Sequence, residues 1–85
     1  MFAKLYSRLK EQVLVVIDTD NEGKPQVLFS FNPEGFGICS GGPVWPDTDK
    51  GWEGAERYFA RITRKSAFTF VENLKSELFD QFKGQ

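Results

Sequence analysis

Cys39 is the one side chain in this sequence with the makings of a covalent nucleophile. Its setting, Gly37-Ile38-Cys39-Ser40-Gly41-Gly42, could offer backbone N–H groups to an oxyanion. A thiol attacks only as a thiolate, and the chain has no histidine to take the proton. No lysine or carboxylate stands at a spacing that would replace one. The cysteine therefore reads as a small buried hydrophobe, and the chain as a non-enzyme. The same glycines fail as a phosphate cradle. No Gly-Lys-Ser/Thr follows them, and no Gly-x-Gly-x-x-Gly opens a helix.

Metal chemistry has two incomplete candidates. Asp18-x-Asp20-x-Glu22-Gly23 has the alternating oxygens of the first half of a calcium loop, but Phe29 stands where the loop needs a bidentate Glu. Asp47-x-Asp49-x-Gly51-x-Glu53 is a second oxygen-rich run, also incomplete. Both read as solvated turns, with no metal site and no cofactor expected.

Two sets of residues suit binding better. The first is a loop with Trp45 at its centre, braced by Pro43 and Pro46, with Asp47, Asp49 and Lys50 as a polar rim and Trp52 beside them. Tryptophan dominates binding energy wherever it anchors an interface, and a proline-braced loop loses less entropy on docking. Trp45 falls outside any helical period, so it either anchors a partner or folds back over the core. The second set is Arg57, Arg61, Arg64 and Lys65, in a stretch of nine residues, 57–65, that holds no acid. On one continuous helix these cations would share a face and could track phosphates. Glu53, four residues before Arg57, supplies an intrahelical ion pair that favours a solvated face.

Several elements must position these residues. Phe2, Leu5, Tyr6 and Leu9 recur at helical spacing and predict a short amphipathic helix over 2–11. Val13-Leu14-Val15-Val16-Ile17 is β-branched and short, a well-buried strand. Residues 18–24 are turn formers, and Pro25 opens a strand in which Val27, Phe29 and Phe31 alternate with Leu28 and Ser30. Asn32-Pro33-Glu34-Gly35 is a second turn, and Phe36-Gly37-Ile38-Cys39 a third strand. Between residues 40 and 51 the pattern stops. Asp49 then caps a helix whose apolar face is Trp52, Ala55, Tyr58, Phe59 and Ile62. A break at Thr63-Arg64-Lys65-Ser66 precedes a last helix with the stripe Ala67, Phe70, Val71, Leu74, Leu78 and Phe82, widened by Phe68 and Phe79. A fourth strand over residues 67–70, with Thr69 and Glu72 as a capping box, is the alternative. The expected fold is a small α+β domain, a three-stranded antiparallel meander packed against helices in the order α-β-β-β-α-α.

Eighty-five residues make one domain, 1–85, with 83–85 a frayed tail. Eleven basic and twelve acidic side chains leave a net charge of −1, which excludes a generally cationic coat for nucleic acid. Nine Phe, two Trp and two Tyr are many rings for so short a core, and rings left exposed would form a homodimer patch. No apolar leader or membrane-length run is present, so a cytoplasmic location is expected.

The order of hairpin, strand ending Phe31-Asn32-Pro33, Gly-containing turn, strand with Cys39, and Asp47-Thr48 before a helix resembles HicB-type antitoxins over part of the chain. That resemblance implies a small sheet with a helix that neutralises a partner ribonuclease. The acidic run that family carries into its helix is absent here, and Trp45, Pro43 and Pro46 are foreign to it. The functional expectation is a small protein-binding module, an inhibitor or antagonist of antitoxin or viral type. The alternative is nucleic-acid binding through the basic stripe.

Overall fold

In a computed structural model the chain is described over residues 2–32 and 38–83, with side chains over 3–32 and 38–77. Four strands, β1 (Phe2–Arg8), β2 (Glu11–Thr19), β3 (Pro25–Phe31) and β4 (Cys39–Gly41), form an antiparallel sheet in chain order. Two helices, α1 (Asp49–Arg61) and α2 (Arg64–Lys83), follow. The α+β class stands, but the order is β-β-β-β-α-α.

The principal correction is at the N-terminus, where the expected helix is strand β1. Its apolar residues fit a helical period, but in the strand successive side chains alternate between the two faces. Lys4, Tyr6 and Arg8 turn toward the helices, while Ala3, Leu5 and Ser7 face outward. Arg8 pairs with Glu11 across a two-residue turn, Leu9-Lys10, in which Leu9 adopts the left-handed conformation at φ 53°. Pairing with β1 on one side and β3 on the other satisfies both edges of the valine-rich β2.

The core lies between one sheet face and the helices. Val13, Val15 and Ile17 of β2 and Val27, Phe29 and Phe31 of β3 meet Ala55 and Phe59 of α1, Ile62, and Ala67, Phe68 and Val71 of α2. Leu14 and Val16 point the other way, so β2 is buried on one face only. The β2–β3 turn is held by Asp20, whose Oδ1 accepts the backbone N–H groups of Glu22 at 2.9 Å and Lys24 at 2.8 Å. Its Gly23 supplies the positive φ of 82°.

Of the expected third strand, Phe36 and Gly37 lie outside the described residues, as do Pro33, Glu34 and Gly35 of the turn before it. Pairing with β3 instead runs from Cys39 to Gly41. The region 40–51 is also less irregular than its composition suggests. Beyond β4 the chain stays on the edge of β3, where Val27 N–H donates to Pro43 O, Val44 bridges Gln26, and Trp45 N–H donates to Pro25 O.

Thr48, not Asp49, caps α1. Its hydroxyl accepts from Gly51 N–H at 3.0 Å, and Asp49 joins the first turn. Gly51 is required there because a Cβ would strike the Pro46 carbonyl. The helix break falls at Ile62-Thr63, and Thr63 and Ser66 cap α2 reciprocally. Ser66 Oγ accepts from Thr63 N–H at 2.9 Å, and Thr63 Oγ1 accepts from Ser66 N–H at 3.2 Å. Residues 67–70 are helical, which removes the fourth-strand alternative at that position. Ala67, Phe68 and Val71 are buried as the stripe requires, with Phe70 and Leu74 half-buried. The side chains of Leu78, Phe79 and Phe82 lie outside the described residues, as do Gly84 and Gln85 of the expected tail.

Candidate functional site

A groove of about 780 Å³ runs between α1 and α2. Each helix gives it one stripe. Gly54, Arg57, Tyr58 and Arg61 stand at i, i+3, i+4 and i+7 on α1, and Ser66, Thr69, Phe70 and Asn73 repeat that spacing on α2, with Lys65 beside them.

Aromatic rings make the floor and one wall. Phe29, from the centre of β3, stacks on Phe70 with ring centroids 4.1 Å apart and planes 20° from parallel. Trp45 forms the wall at the α1 end, tilted 59° against Tyr58 at 5.3 Å. The indole lies where it does because α1 has no side chain beneath it. A Cβ at Gly54 would stand 3.1 Å from two indole atoms. Burial raises the Tyr58 hydroxyl above its ordinary pKa, so it stays a neutral phenol at physiological pH.

The rim is cationic. Arg57, Arg61 and Lys65 line the groove, and no carboxylate does among the described residues. The expected Glu53–Arg57 ion pair does not form. The ion pairs of the described residues are Lys24–Glu22 and a network of Arg8, Glu11, Glu72 and Lys75 at the hairpin end of the sheet. The first turn of α2 also carries Arg64 and Lys65 with no acid, adding positive charge at the positive end of the helix dipole.

The structure thus regroups the two expected sets of binding residues. Trp45 neither stands free as an anchor nor lies wholly inside the core; it is half-buried and forms a wall. Asp47, Asp49, Lys50 and Trp52 do not line the groove. Asp49 and Lys50 are exposed on the first turn of α1, and Trp52 Nε1 donates to Asp47 Oδ1 at 3.2 Å. The basic stripe divides at the helix break. Arg64 turns to the opposite side, where its Nε donates to Ser7 O at 2.9 Å and its guanidinium lies over Phe68. Three of the four cations and one of the two tryptophans therefore meet in one place.

Thr69, Phe70 and Asn73 are groove residues that the sequence reading did not single out as binding residues. Their signal was the polar i, i+4 pair Thr69 and Asn73 flanking an aromatic on a helix otherwise read only for its core.

Neither acidic run gathers into a cation site. Asp20 is engaged by its own turn, Glu22 pairs with Lys24 at 2.9 Å, and the described residues hold no group of three or more metal-ligating side chains. Cys39 packs against the core. No described helix is long and apolar enough to cross a membrane. Comparison with protein-family models, with characterised proteins and with solved structures finds no match.

Proposed function

We propose that this protein is a non-enzymatic protein-binding module, an inhibitor or antagonist of its partner, and that the groove between α1 and α2 holds an acidic, apolar segment of that partner. The observation that carries this reading is the combination of an aromatic floor with three cations and no carboxylate among the described lining residues. Apolar side chains of the segment would lie on Phe70 and Trp45, and its carboxylates would reach Arg57, Arg61 and Lys65. Arginine suits the task because its planar fork takes a carboxylate with two hydrogen bonds.

Single-stranded nucleic acid is the second reading, since rings and cations together also suit bases and phosphates. Two features favour protein. Phe29 is 1% exposed and covered by Phe70, so it offers no open ring face to a base. Three cations on a chain of net charge −1 would neutralise few phosphates, and such binding is weak and lost in salt.

The test titrates the protein with a 12-residue peptide alternating Asp or Glu with Leu or Phe, and separately with oligothymidine. Fluorescence at Trp45 is followed in a Trp52→Phe background. The peptide is expected to shift the emission, and Arg57→Glu with Arg61→Glu is expected to weaken binding at least tenfold while circular dichroism is unchanged. Oligothymidine binding without peptide binding would transfer the assignment to nucleic acid. Peptide affinity indifferent to the charge reversal would remove the groove from the function.

A further inference from the structure

The face of the sheet turned away from the helices has no cover among the described residues, and its centre is aliphatic while Ser7, Gln12, Gln26, Ser30 and Ser40 stand around it. An antiparallel sheet with one face in water ordinarily alternates apolar-in and polar-out. Here the outward row Ala3, Val16, Leu28 runs beside the row Leu5, Leu14, Ser30, Ser40, in register across the strands. Val44, bridged to Gln26, adds a further apolar group at the sheet edge. Leu5 is 62% exposed, Leu14 41% and Val44 45%. Among the described strand positions that face outward, Asp18 is the one charged residue, and it stands near the end of β2.

We propose that this face is the interface of a homodimer in which two sheets pack face to face with the helices outward. Two observations name a second copy as the occupant. The first is charge. A partner chosen by electrostatics would meet a charged face, whereas a face with an aliphatic centre, uncharged polar neighbours and one charged strand residue near its end repels a copy of itself little and suits an isologous two-fold contact. The second is area. The chain exposes 6072 Å². A folded monomer of 9.7 kDa is expected to expose about 5,100 Å². The excess of about 970 Å² is of the order of the roughly 800 Å² that each partner buries in a standard interface. The open sheet face contributes to that excess, since the Cα atoms span only 17 Å along the shortest axis, one sheet and one helical layer. Pairing two sheets about 10 Å apart would bury the open faces in a four-layer stack.

The inference is independent of the groove, which lies on the helical side. Sedimentation equilibrium of the wild-type protein from about 5 to 500 μM tests it. The mass is expected to rise from 9.7 kDa toward twice that value. Leu14→Lys is expected to weaken the dimer at least tenfold, with Leu5→Lys on the edge strand as a second variant, each checked by circular dichroism for an intact fold. Arg57→Glu with Arg61→Glu should leave the dimer unchanged. A mass of 9.7 kDa across the whole range, or a dimer indifferent to both lysine variants, overturns the proposal.

Discussion

Lys4 shows how much one side chain does in a domain this small. From the edge strand β1 its ammonium donates to Phe59 O at 2.7 Å and Ile62 O at 3.2 Å, two carbonyls at the end of α1. It also lies 4.7 Å from the centre of the Phe59 ring, and Tyr6 Oη donates to Ile62 O at 3.1 Å beside it. A cation there is favoured by the helix dipole; it adds a second donor to Phe59 O, which already accepts the Ile62 N–H, and shares Ile62 O with Tyr6. Lys4→Met would keep the packing and lose the charge. The expected cost is about 1–2 kcal/mol, read as a lower urea midpoint with the slope unchanged. Lys4 is the cation bonded to the end of α1, while Arg61 lines the groove.

At the scale of elements, the β1–β2 hairpin and α2 are joined by ion pairs. Arg8 bonds Glu11 at 2.9 Å and Glu72 at 2.8 Å, and Lys75 reaches Glu11 at 3.1 Å. Arg8 and then Lys75 hold the Glu11 carboxyl below its ordinary value near 4.5. A carboxyl with a depressed pKa in the folded state contributes stability that is present above the unfolded value and lost as pH falls through the folded one. Thermal stability should therefore decline below about pH 4.5, and Glu11→Gln should flatten that decline. At pH 7 the substitution should lower Tm by no more than about 6 °C, because the pair is exposed. Melting curves of both proteins from pH 3 to 7 check it. An unchanged acid limb in the variant would place the sensitivity in other carboxylates.

The whole molecule is a thin slab with two unlike faces. The helical face carries a cationic groove with an aromatic floor, and the sheet face has an aliphatic centre and one charged residue among its described strand positions. The hydrophobic core separates them, and no described groove residue faces outward from the sheet. Variants on the two faces should therefore act independently. Leu14→Lys should leave the salt-corrected affinity for the acidic peptide per site unchanged, and the groove charge reversal should leave the association constant unchanged. A double variant whose effects fail to add within about 0.5 kcal/mol would show that the faces are coupled. If they are independent, a dimer would present two outward grooves and could hold two segments of one partner.

Composition and period alone were enough to place the α+β class, the strand at residues 13–17, the alternation of Val27, Phe29 and Phe31, and the amphipathic helices after residue 49. These are local matters, since β-branched alternation and helical spacing act over a few residues. The N-terminal segment was misread because Phe2, Leu5, Tyr6 and Leu9 fit a helix by spacing. What made it a strand was the unpaired edge of β2, a demand made by residues beyond it. The groove was legible only in parts. Trp45 and the cations were visible as separate candidates, and only tertiary structure could unite them. The break at Ile62-Thr63 turned Arg64 away, the edge of β3 carried Trp45 to α1, and Gly54 left room for the indole. Which face of β2 would remain open was likewise invisible, because Val13-Leu14-Val15-Val16-Ile17 is apolar throughout and reads as a well-buried strand. Only the placement of both helices on one face leaves Leu14 and Val16 turned outward.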